Sequence, residues 1–490
     1  MHISSESIDP AKKKTAALCF FVSEKSDKPF GLPKMEPKLD SAIKHACAET
    51  KGKIGSTSVI YTHQIVAAER ILLAGVGPRH KITHEQIRLA SGKIARKVIE
   101  MGLDEFCIVI QNDLPLKSPI ATSAAIEGAC LASYSFDKYR KERKKQPNLT
   151  VLVQDQSKTT NIVSKARIIS DGVTYARSIA NLPPNECSPA TMAGFAKSLS
   201  SKNKTKCTIM SKSELRKQGF GGIYAVGQGS KNEPKLIILE YNGKKDQRPT
   251  IIVGKAVTFD TGGISLKPAD KMDEMKFDKC GGCTVLGILK AASELKMPIN
   301  LIGIIPAVEN MPGGESYRPG DIIKMYGGKT AEILNTDAEG RLILFDAISY
   351  GIKKYKPKEV IDFATLTGAC IVALGANVAG LVTNNSKLAD SLKRSSERTG
   401  EQVWQLPMND DYIEMIKSDF AEIKNVGPGR VAGAITAAAF LASAVGNTPW
   451  AHFDIAGTAW VQTGSKDKSY NPKGATGFGV RLILDYLSNP

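Results

Sequence analysis

The chain has 490 residues, 42% of them hydrophobic, and carries 66 Lys and Arg against 49 Asp and Glu, a formal net charge of +17. That composition excludes fibrous and disordered classes and supplies enough apolar material for two cores of ordinary size. No apolar run reaches the roughly 18 to 20 residues that span a bilayer. The opening MHISSESIDPAKKKTAALCFFV has too short an apolar patch and no small-residue cleavage site after it, so a cytoplasmic protein is expected.

In chain order, the apolar runs AALCFFV, RILLAGVG and FCIVI read as short strands, alternating with helix-like segments such as EQIRLASGKIARKVIEM. The basic segment KERKKQPN then interrupts the pattern. After one more strand, TVLVQ, a helix is predicted from about Asn161 to Ile179, stopped by Pro183, Pro184 and Pro189. The second half keeps a rhythm of strand TIIVGKA, a helix from about Gly282 to Leu295, strand INLIGIIPA, a helix from Arg341 to Lys353, and strand EVIDFATL. Strands apolar on both faces suit a buried parallel sheet.

The expected fold class is therefore α/β. A smaller N-terminal α/β domain spans 1–160, a linking helix 161–185, and a larger C-terminal domain 186–490, built on a central, mostly parallel sheet covered by helices. In such sheets ligands gather where strands end and loops begin.

Two basic runs, Lys12 to Lys14 and DKYRKERKK from Asp137 to Lys145, favour a polyanion such as DNA, or are a loose arm and a solvated helix end. Nine scattered cysteines read as reduced thiols, and Cys280 with Cys283 lacks the second pair that a structural zinc site needs. GGKT at Gly327 to Thr330 has Ile323 where the first glycine of a phosphate-binding loop belongs. The glycine-rich GFGGIYAVGQG lacks the spacing of a dinucleotide fingerprint.

The six histidines, His2, His45, His63, His80, His84 and His452, form no metal-binding pair, so any metal is held by oxygen. Suitable carboxylates fall in two stretches. In the first, Lys255 leaves a buried strand, Asp260 follows, Gly262 and Gly263 turn the chain back so that Lys267 faces the same space, and Asp278 precedes a helix. Either lysine can serve as a salt-bridge partner, a metal ligand once deprotonated, or a cation that polarises a carbonyl. In the second, NTDAEGRL, Asp337 and Glu339 share a face if the loop is extended. Arg341 then starts a helix, where free N–H groups favour an anion that an arginine can hold by two parallel hydrogen bonds. These groups exceed the needs of one ion and would suit two sharing carboxylates at about 3.5 to 4 Å, a hydrolase centre.

NTDAEGRL and VGKAVTFDTGGISLKP closely resemble the leucyl aminopeptidase family of dinuclear zinc or manganese exopeptidases. The resemblance continues through MKFDKCGG, ATLTGAC, NVGPGRVAGAITAAAFL, WAHFDIAGTAW and, upstream, ANLPPNECSP. Before about residue 150 only general architecture agrees, with LLAGVG the nearest local similarity. The resemblance implies that Lys255, Asp260, Asp278 and Glu339 ligate one metal and Asp260, Asp337 and Glu339 the other, with Asp260 and Glu339 bridging.

It further implies that Lys267 polarises the scissile carbonyl, and that Arg341 holds a bicarbonate that shuttles the proton from the water to the leaving amine. A free substrate α-amino group on the metal also held by Lys255 would make the enzyme an exopeptidase. Met275, Asn335, Thr365, Leu366, Gly368 and Ala456 sit where the family lines the first side-chain pocket and grips the substrate backbone, an apolar lining that suits Leu and Met. Lys279, Cys280 and Ala459 depart from many relatives and bear on side-chain preference. The family also implies peptide substrates and a homohexamer, with DNA binding as a second function to be weighed against the +17 charge.

Overall fold

The computed structural model describes residues 1–143, 145–156, 159–203, 205–429, 431–462 and 468–489. Lys144 of the basic run and Arg430 of NVGPGRVAG lie outside the described residues. The chain forms two compact units, Met1–Thr174 with Val461–Gly474, and Tyr175–Trp460 with Ala475–Pro490.

The first unit is a six-stranded sheet of β1 (Ile3–Glu6), β2 (Leu18–Val22), β3 (Thr57–Tyr61), β4 (Arg70–Gly75), β5 (Glu105–Val109) and β6 (Asn148–Leu152), in the order β1-β6-β5-β2-β4-β3. Every neighbour is parallel except the edge pair β3 and β4. The three strands read from apolar runs in its first part are β2, β4 and β5, and TVLVQ overlaps β6. The predicted helix EQIRLASGKIARKVIEM is His84–Glu100, started by a Thr83 and Gln86 capping box. Val461–Gly474 returns to this unit, where the Tyr470 hydroxyl donates to Glu85 at 2.6 Å.

The second unit is built on β7 (Lys206–Met210), β8 (Lys235–Asn242), β9 (Thr250–Gly254), β10 (Ala256–Asp260) and β11 (Asn300–Asn310). A small sheet follows from β12 (Ile322–Lys324), β13 (Thr330–Glu332) and a later partner. The main sheet is completed by β14 (Glu359–Ala364), β15 (Ala379–Thr383), β16 (Val403–Gln405) and, after β17 (Ile423–Lys424), which is the third strand of the small sheet, by β18 (Trp450–Asp454). Its order is β16-β15-β18-β14-β9-β11-β8-β7, with β10 pairing the C-terminal end of β11 beyond β9. The centre, β18-β14-β9-β11, is parallel. These strands are buried along almost their whole length, which is why they read as apolar runs.

The flanks are antiparallel, at β15 on β18, β8 on β11 and β7 on β8. Apolar content alone does not reveal strand direction, so the mixed character was not legible. The predicted helices of this half are Cys280–Glu294 and Gly340–Tyr355. Gly281 and Gly282 let the first of them pack directly on the sheet, since a Cβ on Gly281 would lie 2.1 Å from the Phe363 carbonyl oxygen.

GGKT is the hairpin turn between β12 and β13, with Gly327 at φ 95° and Gly328 at φ 103°. GFGGIYAVGQG is glycine-rich for packing. Gly221–Gly227 is a short helix on which a Cβ at Gly222 would meet the Leu342 carbonyl oxygen at 2.5 Å. No described helix is long and apolar enough to cross a membrane.

Candidate metal centre

Asp260 ends β10, where Gly262 (φ 86°) and Gly263 (φ 68°) reverse the chain. Lys267 N–H donates to the Thr261 carbonyl at 2.8 Å, which brings the Lys267 ammonium back to Asp260 Oδ2 at 2.9 Å and against Asp337 Oδ1. Lys255 lies in the break between β9 and β10. Its ammonium is 2.8 Å from both Asp278 and Glu339 and 2.9 Å from the Thr365 carbonyl oxygen.

NTDAEGRL is not extended. Asn335 Oδ1 accepts from Asp337 N–H at 2.8 Å, and Ala338 N–H donates to the Asn335 carbonyl at 3.3 Å, closing a turn. Convergence of Asp337 and Glu339 therefore comes from an Asx turn running into a helix start rather than from the alternation of a strand. Glu339 is the N-cap residue and Gly340 the first helical residue. A Cβ on Gly340 would stand 2.7 Å from Lys255 Cε and 3.0 Å from its Nζ, so glycine is required for the lysine to reach its carboxylates.

Gly340→Ala is predicted to lower folding stability by about 1 to 3 kcal/mol, because the better helix propensity of alanine does not offset a methyl forced against buried Lys255. Its added methyl displaces Lys255, and divalent-ion affinity falls at least about tenfold, as for other supporting residues of metal sites. Thermal denaturation and metal titration of the same preparation check both halves.

Four carboxylates, Asp260, Asp278, Asp337 and Glu339, thus face two ammonium groups, an excess of two negative charges once all four are ionised. Burial works against the charge on Lys255, yet Asp278, Glu339 and Asp260 hold its pKa above the ordinary value. Lys267 is raised in the same way, burial being outweighed by Asp260, Glu339 and Asp337. Burial pushes Asp278 up to about 8 against the pull of Lys255, and Asp337 up to about 6 with help from Asp260 and Glu339.

The residues fit a cation centre. Asp260, Asp337 and Glu339 each bring a carboxylate oxygen within 4.8 Å of the others, and buried Glu339 Oε2 has no hydrogen-bond partner. Asp278 stands outside this trio, across Lys255. Oxygen donors with one amine suit a hard or borderline divalent ion.

Of the remaining predicted residues, Thr365 and Asn335 bond to this cluster through their side chains and Met275 through its carbonyl, while Arg341, Leu366 and Ala456 have partners outside it. Thr365 Oγ1 donates to Asp278 Oδ1 at 2.6 Å. Arg341, in the first turn of its helix, donates through Nη1 to the Asn425 carbonyl at 2.6 Å, while its buried Nε has no partner. Burial lowers its pKa to about 10. Asn335 is tied to the same Asn425, whose Nδ2 donates to the Asn335 carbonyl at 2.6 Å. Leu366 and Ala456 share a partner in Asp454, at 3.2 Å from each N–H. Gly368 opens the short helix Gly368–Leu374, and Met275 lies in the 3-10 turn whose carbonyl accepts from Asp278 N–H at 3.3 Å.

Sequence reasoning missed the groups that hold the site in shape. Asn310 Nδ2 donates to Asp260 Oδ1 at 2.9 Å and to the Thr336 carbonyl at 3.1 Å, and Tyr317 donates to that carbonyl at 2.7 Å. Asn425 and Asp454 stand in NVGPGRVAG and WAHFDIAG, motifs already noted, but nothing local marks their partners some ninety residues away.

Comparison with known proteins agrees with this geometry. Residues 174–484 match the catalytic domain of the cytosol aminopeptidase family, and residues 20–143 match that family's N-terminal domain. A probable cytosol aminopeptidase of Cenarchaeum symbiosum is 57% identical over 490 residues, covering 99% of each chain. One of Roseiflexus castenholzii is 46% identical over 445 residues, covering 89% of this chain and 90% of its own. The bottromycin maturation enzyme BotP, solved in complex with Mn, superposes with a TM-score of 0.86 at 28% identity, covering 96% of this chain and 99% of that one.

A carboxylate and lysine centre at the ends of the central strands of a mixed sheet, in this two-domain α/β fold, defines a metal-dependent peptidase. The chain belongs to the cytosol aminopeptidase family, whose members are metallo-exopeptidases acting on peptides.

Proposed function

We propose that this chain is a leucyl aminopeptidase, releasing N-terminal Leu and other apolar residues from peptides in the cytoplasm. The observation that carries the reading is the trio of buried Asp260 and Glu339 with half-buried Asp337, beside Lys255 and Lys267. Lys255, Asp260, Asp278 and Glu339 would hold one divalent ion and Asp260, Asp337 and Glu339 a second, either Zn²⁺ or Mn²⁺. When bound, the ions supply Lewis acidity toward the peptide carbonyl and a water of lowered pKa.

The protein's own groups do the rest. Lys267 Nζ donates to the carbonyl oxygen as negative charge builds on it. Arg341 directs its free Nε–H at a small planar anion, which we assign as bicarbonate, at the positive end of its helix. Met275, Asn335, Thr365, Leu366, Gly368 and Ala456 line the pocket and hold the substrate backbone. Assembly as a homohexamer is part of the same proposal. Comparing kcat/KM for Leu, Met, Ala, Glu and Lys amides tests the preference: Leu and Met should lead, and a charged side chain in first place would overturn it.

Ion uptake requires Asp278 and Asp337 to lose their protons and Lys255 to become a neutral amine. Protonation opposes binding, so affinity for Mn²⁺ rises with pH, most steeply below about 6 where Asp337, Asp278 and Lys255 all carry protons, and least above about 8 where only Lys255 still has one to lose, with protons released to the buffer. Calorimetry in buffers of different ionisation enthalpy measures that release. An affinity independent of pH would contradict the ligand set.

A second reading, DNA binding, draws on the exposed Lys141, Arg143 and Lys145 in the basic run. It requires binding that weakens steeply with salt and survives Lys267→Ala.

A further inference from the structure

β14 and β18 end side by side, with Ala364 opposite Asp454 and Ile455 N–H donating to the Ala364 carbonyl at 2.8 Å. The Asp454 carboxylate, 2% exposed, therefore lies beside the turn Thr365–Gly368 that leaves β14. Its Oδ1 accepts from the N–H groups of Leu366 at 3.2 Å, Thr367 at 3.4 Å and Ala456 at 3.2 Å, and its Oδ2 accepts from Thr367 Oγ1 at 2.6 Å. A buried carboxylate satisfied by so many converging donors orients them all.

The consequence follows from peptide planarity. In a trans peptide the N–H and C=O point in opposite directions. The Thr365–Leu366 peptide obeys this visibly: its N–H faces Asp454 while its carbonyl accepts from Lys255 Nζ at 2.9 Å. The next peptide also turns its N–H to Asp454, so the Leu366 carbonyl points to the side where Lys255 and the carboxylates lie. Ala456, on the far side of Asp454, is fixed by the same oxygen.

We infer that Asp454 is the positioning residue for the substrate's first amino acid, holding the Leu366 carbonyl and the Ala456 wall in one geometry without touching substrate. The inference rests on the aminopeptidase reading above. Asp454 thereby sets binding and side-chain discrimination, whereas the ion-binding carboxylates and Lys267 set the rate of the chemical step.

The test compares wild type, Asp454→Asn, Thr367→Val and Thr367→Ser on Leu and Ala amide substrates, with metal content measured for each. Asp454→Asn and Thr367→Val should raise KM for the Leu substrate about tenfold and cut the Leu over Ala preference by about the same factor, with kcat and bound metal little changed. Thr367→Ser, which keeps the hydroxyl, should restore wild-type KM and preference. If Asp454→Asn does not fold, the Thr367 pair decides the matter. Wild-type hydrolysis with unaltered KM and preference in Thr367→Val, or a fall confined to kcat, overturns the inference alone. Absence of wild-type hydrolysis overturns the aminopeptidase reading beneath it.

Discussion

Glu339→Gln is expected to lose peptide hydrolysis by at least about a thousandfold in kcat/KM, together with bound metal. Glu339 is 1% exposed; one carboxylate oxygen faces Lys255 at 2.8 Å and the other has no hydrogen-bond partner. It belongs to the carboxylate trio and also contacts Lys255 directly. The amide keeps the shape and one acceptor for Lys255 but removes the charge that two cations would share. Losing several kcal/mol of transition-state stabilisation corresponds to a factor of that size. Metal analysis and kinetics on one preparation check the prediction. A variant that keeps both metal and activity would remove Glu339 from the centre.

Lys267→Met is expected to lower kcat by about 10² to 10³, the cost of deleting one preorganised donor to a developing oxyanion. Metal affinity should hold or rise, because the substitution removes a positive charge that lies 2.9 Å from Asp260 and against Asp337. That opposite sign separates Lys267 from the ligands: Glu339→Gln loses metal and rate together, Lys267→Met loses rate alone. Loss of metal in Lys267→Met would mean that the ammonium serves the architecture of the carboxylates. A rise in KM with kcat preserved would assign it to ground-state binding.

The parts of this site that could be read in the sequence are those whose cause is local. The Gly262 and Gly263 reversal, the placement of Asp278 before a helix and the helix start at Arg341 depend on neighbouring residues. The central strands β9, β11 and β14 were legible because burial on both faces leaves an uninterrupted apolar run. The antiparallel flanks were not, since direction is a tertiary property. The alternation of Asp337, Glu339 and Arg341 gives a shared face only to an extended loop, and one side-chain hydrogen bond makes an Asx turn at Asn335 instead, which the alternation does not reveal. Asn425 and Asp454 were invisible as site residues because their partners are brought to them only by the ordering of β14, β17 and β18.

The most direct test of the two-ion aminopeptidase account is hydrolysis of a leucine amide chromogenic substrate and its N-acetylated counterpart, before chelation, after chelation, and after Zn²⁺ or Mn²⁺ is restored. The account predicts cleavage of the free-amine substrate alone, abolished by the chelator and recovered with metal. Equal cleavage of both substrates, or full activity in metal-free protein, would contradict it.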